Sequence, residues 1–403
     1  MFFGKNPGGM LFMGKGRIQM TEKLFYNDVT GSEFDAEVLS CEKNGEHYDV
    51  VLDRTYFYPE GGGQPADNGT LGDVNVFDVQ DKDGEVVHYT DKPVEVGSII
   101  HGRVDMIRRH RLMQQHSGEH IVSGIIHNRF GYDNVGFHMG SECITIDFNG
   151  PLSAEDLDWV EQQANGAIYA DFEPHIFYPS AEELKKLEYR SKKELEGDVR
   201  IVSFGDCDTC ACCGLHVVRT GEIGVIKITG FQKYKGGTRV TMLSGVQALE
   251  DYDVKDRLVH GISTMLSAKP YEIDAAVQRV VNERNEIKEQ LIETKKKLLE
   301  LKRDTVSADE KCAVFFEQSM EPVELKLFTE MLLERVPSAA VLSGSDEDGW
   351  KYAVGSNDKD VCAFIKEANK SLNGRGGGRG NMVQGSFAAK ACDIERYIKD
   401  GLA

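Results

Sequence analysis

The chain has 403 residues, 40% hydrophobic and 28% charged, with a formal net charge of −19. That length accommodates two or three cores, and the acidity argues against a general polyanion binder, because phosphate contacts need Lys and Arg. No run of 18 or more apolar residues exists, so no segment reads as a membrane-spanning helix.

The opening residues are glycine-rich and only briefly apolar, so a signal peptide is not expected. Met20 reads as the native start, with residues 1–20 as a disordered or non-native leader. Residues 21–104 carry short alternating segments (36–40, 47–52, 74–79) with Asp83-Gly84 as a hairpin turn, and their spacing predicts a small β-barrel. Gly61, Gly62 and Gly63 lack a following Gly-Lys-Ser/Thr and so form no P-loop; they suit a tight turn or close backbone approach to a substrate.

An α+β domain is predicted over 105–248. A helix starts near Met106, residues 140–148 alternate as a strand, and Ser153 caps a helix running to Tyr169. Strands at 199–204 and 225–229 bracket a cysteine cluster. Residues 253–304 are helical, with Pro270 starting the second helix. Val277, Val280, Ile287, Leu291, Leu298 and Leu301 fall near a heptad seam that Arg284 and Thr294 interrupt, so a helical hairpin over 249–305 is expected rather than a long coiled coil. Residues 306–403 alternate strands (339–342, 352–354) with helices (325–334, 361–372) as a small α/β domain. Its glycine loop at 374–380, containing Arg375 and Arg379, precedes a helix and suits contact with a phosphate or an RNA edge. The fold class is α+β.

His116 and His120 stand one helical turn apart, and Cys212 and His216 repeat that spacing some ninety residues on. Two imidazoles and a thiolate–imidazole pair make a mixed N/S ligand set of the kind Zn²⁺ prefers. Nine cysteines, four of them within 207–213, favour metal or thiol chemistry in a reducing compartment over a disulfide framework. Cys207 and Cys210 read as inert neighbours. Glu119, beside His120, is the nearest carboxylate to assist a water. Two basic islands flank the histidines and cysteines, one holding Arg108 and Arg109 and the other Lys233, Lys235 and Arg239. Such a rim on an acidic body can bind one shaped RNA.

The order of these motifs carries a resemblance. His-x-x-x-His, then Cys-x-x-x-His running into residues 217–224, resembles the editing domain of alanyl-tRNA synthetase and the AlaX editing proteins. The segment 57–67, containing Gly61-Gly62-Gly63-Gln64-Pro65, is similar to that family's glycine-rich motif, and 376–385 resembles the C-terminal domain of its long members. The match covers nearly the whole chain from about Glu22.

The resemblance implies one zinc ion held by His116, His120, Cys212 and His216. It implies hydrolysis of the ester joining serine, or glycine, to the tRNA for alanine, in the cytoplasm and without aminoacylation. His138 stands where AlaX-like proteins carry histidine, so it is expected to contact substrate, as is Gln64. Three roles are open to the metal: holding the amino group or side-chain oxygen, polarising the carbonyl, or activating water. Where the family usually keeps a threonine, this chain has Leu215, which is expected to narrow or dry the pocket. The C-terminal half is expected to dimerise and to hold tRNA, with Arg375 and Arg379 among the contacts; neither membrane nor DNA is an expected partner. A zinc peptidase is disfavoured, since Ser117 occupies the place of its glutamate. The competing readings are a non-catalytic zinc-containing tRNA-binding protein and a deacylase of altered amino-acid specificity.

Overall fold

The computed structural model describes residues 20–191 and 199–403, so the leader expectation lies almost wholly outside the described residues. The chain divides into two compact units, Met1–His260 and Gly261–Ala403.

In the first unit, a two-residue strand β1 (Glu22–Lys23) is followed by β2 (Glu33–Asn44), β3 (His47–Leu52), β4 (Arg54–Thr55), β5 (Gly69–Leu71), β6 (Val74–Lys82), β7 (Glu85–Thr90) and β8 (Ile99–Val104). β1 pairs with β4, and the other six close on themselves in the order β2-β3-β7-β6-β5-β8. Alternation along β2 turns Phe34, Ala36 and Val38 inward, where they meet Val50, Leu52, Phe57, Leu71 and Val79 in one cluster. The β6–β7 turn places Asp83 and Gly84 at φ 55° and 91°, the paired positive values a two-residue hairpin needs.

α1 (Met106–Phe130) follows at once, opened by the Asp105 carboxylate accepting from Arg108 N and closed by Gly131 at φ 71°. Every residue from Met113 to Ile126 is buried. The helix is enclosed on all sides, which explains its lack of a single apolar face. β9 (Asn134–Met139), β10 (Ile144–Phe148), α2 (Ala154–Tyr169), β11 (His175–Phe177), α3 (Ala181–Leu184), β12 (Ile201–Ser203), β13 (Thr209–Ala211), β14 (Ile226–Tyr234) and β15 (Gly237–Ser244) come next. They form two antiparallel sheets, β14-β15-β10-β9 and β11-β12-β13. The single strand expected over 140–148 is thus the end of a hairpin. Residues 140–143 turn the chain, Gly140 N donating to Cys143 O at 3.1 Å. α2 begins with the expected Ser153, in a reciprocal capping box with Asp156.

α4 (Val246–Leu266) starts seven residues earlier than its apolar pattern suggested. Gly245, at φ 64°, breaks the strand, and Val246 N bonds the Gln114 amide. α5 (Ile273–Asp304) follows a short 3₁₀ turn at Pro270–Glu272.

The second unit continues with β16 (Cys312–Glu317), α6 (Pro322–Leu333), β17 (Ser338–Ser345), β18 (Gly349–Ser356), α7 (Val361–Ser371), β19 (Arg375–Arg379), β20 (Met382–Phe387) and α8 (Ala391–Leu402). One five-stranded sheet, β16-β17-β18-β20-β19, buries a cluster on each face. The expected loop at 374–380 followed by a helix is instead a strand paired with β20. Two glycines of this strand pair answer crowding: a Cβ on Gly376 of β19 would fall 2.5 Å from Gln384 O, and one on Gly385 of β20 2.2 Å from Arg375 O.

Candidate metal centre

α1 presents His116 and His120 one turn apart, and the turn after β13 brings Cys212 and His216 against them. The four donor atoms lie within 4.8 Å of one another. Cys212 Sγ is 3.5 Å from His116 Nε2 and accepts from Gly214 N at 3.3 Å. Burial pushes the Cys212 thiol up, but the His116 and His120 imidazoles beside it outweigh burial and hold it well below the usual thiol range. Burial also lowers His216, to about 3, which keeps that imidazole neutral.

Each histidine has its Nδ1 engaged from outside the cluster. His116 Nδ1 meets Gln64 Oε1 at 2.9 Å, His120 Nδ1 meets Asp208 Oδ2 at 2.8 Å, and His216 Nδ1 meets Ser117 Oγ at 3.3 Å. Gln64 Oε1 and the Asp208 carboxylate can only accept, so His116 and His120 donate Nδ1–H to them and turn Nε2 toward the cluster, the orientation a metal ligand needs. His216 Nε2 is buried and has no hydrogen-bond partner. An unpartnered buried imidazole nitrogen beside a cysteine sulfur and two further imidazole nitrogens fits a cation such as zinc.

A cavity of about 470 Å³ opens onto this cluster, lined by Gly62, Gly63, His116, Glu119, His120, Phe137, Arg190, Ser191, Cys210, Ala211, Cys212 and Cys213. The glycine loop forms one wall. Gly61 and Gln64 exchange backbone hydrogen bonds of 2.9 and 3.1 Å across a turn in which Gly62 and Gly63 sit at φ 61° and 85°. A Cβ on Gly63 would strike the Phe137 ring at 2.6 Å. Phe137 in turn stacks on His116, with centroids 5.7 Å apart.

Gln64 is fully buried, its Oε1 shared by His116 and Leu215 N, so it supports a ligand from behind rather than facing the cavity. Glu119 does line the cavity, held by Ser123 Oγ and Asn134 Nδ2 at 2.6 Å each.

Three more of the sequence-predicted residues lie away from the cavity wall. His138 is exposed on β9 and absent from the cavity wall, because neighbouring strand residues face opposite ways and Phe137 takes the inner side. Leu215 is 0% exposed within the apolar core, so its side chain neither narrows nor dries the cavity. Arg109 is 0% exposed and spent on Asp67 Oδ2, Val29 O, Gly31 O and Tyr56 O. Asp67 also accepts from Tyr58 N at 2.7 Å. That pair therefore clamps the base of the glycine loop to the helix carrying the histidines.

Other cations of the basic islands are also occupied. Arg108 donates to Ala66 O, and Arg239 pairs with Asp147 and lies over the Tyr234 ring. Lys233 and Lys235 are exposed at the β14–β15 turn, and Arg375 and Arg379 are exposed on β19. All nine cysteines are free; Cys207 lies away from the cluster, whereas Cys210 reaches the cavity wall. Asp208 and Arg190 escaped sequence reasoning. The available signal for Asp208 was a carboxylate four residues before Cys212, since a metal-bound histidine commonly leans on one.

The match described as tRNA synthetases class II (A) covers residues 15–108, and that described as threonyl and alanyl tRNA synthetase second additional domain covers 199–241. The alanine–tRNA ligase of Ignicoccus hospitalis is 30% identical over 99% of this chain and 44% of its own length. That of Halobacterium salinarum is 33% identical over 84% of this chain and 39% of its own length. The alanyl-tRNA editing protein AlaX-L of Pyrococcus horikoshii is 26% identical over 93% of this chain and 96% of its own length. The chain thus spans less than half the length of the ligases it matches.

Proposed function

We propose, from its similarity to the AlaX editing proteins and the alanyl-tRNA synthetases, that this chain is an editing protein of that kind and hydrolyses the ester of mischarged tRNA for alanine, chiefly seryl and also glycyl. The observation carrying this reading is the four-donor cluster, each imidazole oriented from behind, opening onto a cavity of about 470 Å³.

An aminoacyl ester is already activated, so positioning and charge stabilisation suffice. His116, His120, Cys212 and His216 would hold zinc, which supplies Lewis acidity at the cavity wall. The glycine loop lets backbone approach the substrate closely, and its clamp to α1 through Asp67 and Arg109 keeps it in register with the histidines. Glu119, fixed by Ser123 and Asn134, is the carboxylate placed to hold a water or accept a proton from it. Glu119, Ser191 and Cys213 give the cavity wall polar groups within which a serine hydroxyl is better accommodated than an alanine methyl.

Lys233, Lys235, Arg375 and Arg379 contact tRNA in this reading, and the protein acts in the cytoplasm. Homodimerisation runs through α5, whose Val277, Val280, Ile287, Leu291, Leu298 and Leu301 are 44–67% exposed at heptad spacing. Ile287→Glu with Leu291→Glu should give a monomer by light scattering, and an unchanged dimer would remove α5 from the interface.

Deacylation of seryl- and alanyl-tRNA of the alanine type, with and without chelator, tests the activity. Faster, chelator-sensitive release of serine is the expected outcome. No release of serine, or equal release from unrelated aminoacyl-tRNAs, would overturn the reading.

A further inference from the structure

Beside the four donors lies a buried ionic arrangement the hydrolysis has not used. Asp208 is 4% exposed, and its Oδ2 accepts from His120 Nδ1 at 2.8 Å. Arg190 grips the same carboxylate as a fork, Nε to Oδ1 at 2.7 Å and Nη2 to Oδ2 at 2.8 Å. Its backbone is fastened too: Arg190 N donates to Thr209 O at 2.8 Å, and Ala211 N donates to Arg190 O at 3.0 Å. Guanidinium and carboxylate therefore hang from paired backbone segments, and their relative position is fixed twice.

Cys210 completes a trio with His120 and Asp208 whose donor atoms lie within 4.8 Å of one another. The trio makes a poor second cation site. Asp208 already spends its oxygens on the guanidinium and the imidazole, and an added cation would stand against the Arg190 charge. The arrangement is suited to holding a carboxylate in one plane. A two-point fork sets that plane as a lysine could not. The imidazole that donates Nδ1–H to it is then turned with Nε2 toward Cys212 and the other histidines.

We propose that Asp208 and Arg190 are positioning residues of the metal centre, Asp208 acting on His120 and Arg190 acting through Asp208. The inference rests on reading the four-residue set as a metal centre.

Full-length wild type, Asp208→Asn, Arg190→Gln and the double variant would be loaded with Co²⁺. Affinity would be read by competition with a chromophoric chelator, and geometry by the visible bands of the bound cobalt. Asp208→Asn should weaken binding about 10–100-fold and shift the bands. Arg190→Gln should weaken it less, and the double variant should match Asp208→Asn, because the arginine then has nothing left to act through. Wild-type affinity and spectrum in Asp208→Asn overturn the proposal, and so does an additive loss in the double variant. If Asp208→Asn shows no cooperative melt, Arg190→Gln decides alone, undiminished affinity overturning the proposal. A wild type that binds no Co²⁺ would overturn the metal reading beneath it as well.

Discussion

Among the described residues, the first unit buries Asp67, His88, Arg109, Glu119, His120 and Asp208, whereas the polar residues buried in the second are Thr329, Ser338, Ser343 and Ser356. Desolvating an ionisable group costs several kcal/mol unless it is paired, and hydroxyls satisfy themselves locally at little cost. Thr329 does so on Leu325 O and Ala353 O, and Ser338 on Ser356. The first unit thus gives up stability to hold ionisable groups in place, and two of them, Glu119 and His120, line the cavity. The second keeps a core whose buried polar groups are hydroxyls.

The sharpest test of that contrast is Cys212→Ala. It should empty the metal centre and lower deacylation by at least about 100-fold, more than outer contacts alone are worth, while the melting of a separately expressed residue 261–403 fragment serves as the unaffected reference. Metal retained at one equivalent by elemental analysis would shift the thiolate elsewhere and break the comparison.

Arg109→Met should come next. It leaves Asp67 buried and unpaired, at a cost of about 3–5 kcal/mol in chemical denaturation, and it should loosen the glycine loop, so that kcat falls along with stability. A neutral effect would mean that the buried pair is replaceable by packing.

Acid should separate the units further. Burial lowers His88 to about 4 from an ordinary 6.5. The unfolded chain therefore takes up a proton at this position below pH 6.5 that the folded form refuses until near 4. Stability is fully present above that window and falls through it by roughly 3 kcal/mol. The window should vanish in His88→Gln, compared at matched pH by thermal melts; a persisting loss of the same size would assign it to other groups.

The smallest effect is expected from Gly385→Ala, whose new Cβ meets Arg375 O and the Tyr352 hydroxyl. About 1–3 kcal/mol should be lost, with metal content unchanged, and a simultaneous loss of metal would show that the two units are not independent.

Much of this was legible where the cause is local. Asp83-Gly84, Ser153 and Pro270 mark element boundaries through their own backbone or side-chain preferences, and the structure places a turn, a capped helix and a helix start there. The two histidine-containing pairs were visible because a helical turn imposes their spacing. What stayed hidden depends on distant partners. Arg108 and Arg109 are alike in sequence, yet one helix position apart decides between partial exposure and complete burial against Asp67, 42 residues away. Phe137 and His138 differ only in strand face, and nothing in the local alternation told which side met His116. The glycines of β19 and β20 looked like a loop because crowding by a neighbouring strand leaves the same compositional mark as a turn.

The Gln64 amide, meeting both the His116 imidazole and Leu215 N, joins residues 151 positions apart. On the ribosome, at about 5–20 residues per second, the residues that complete this junction emerge roughly 8–30 s after Gln64 itself. For that interval the glycine-rich segment and the histidine helix exist without the thiolate that would join them. The full set of four donors can therefore come together only late in the first unit's synthesis, and a metal ion offered earlier would meet two imidazoles and no thiolate.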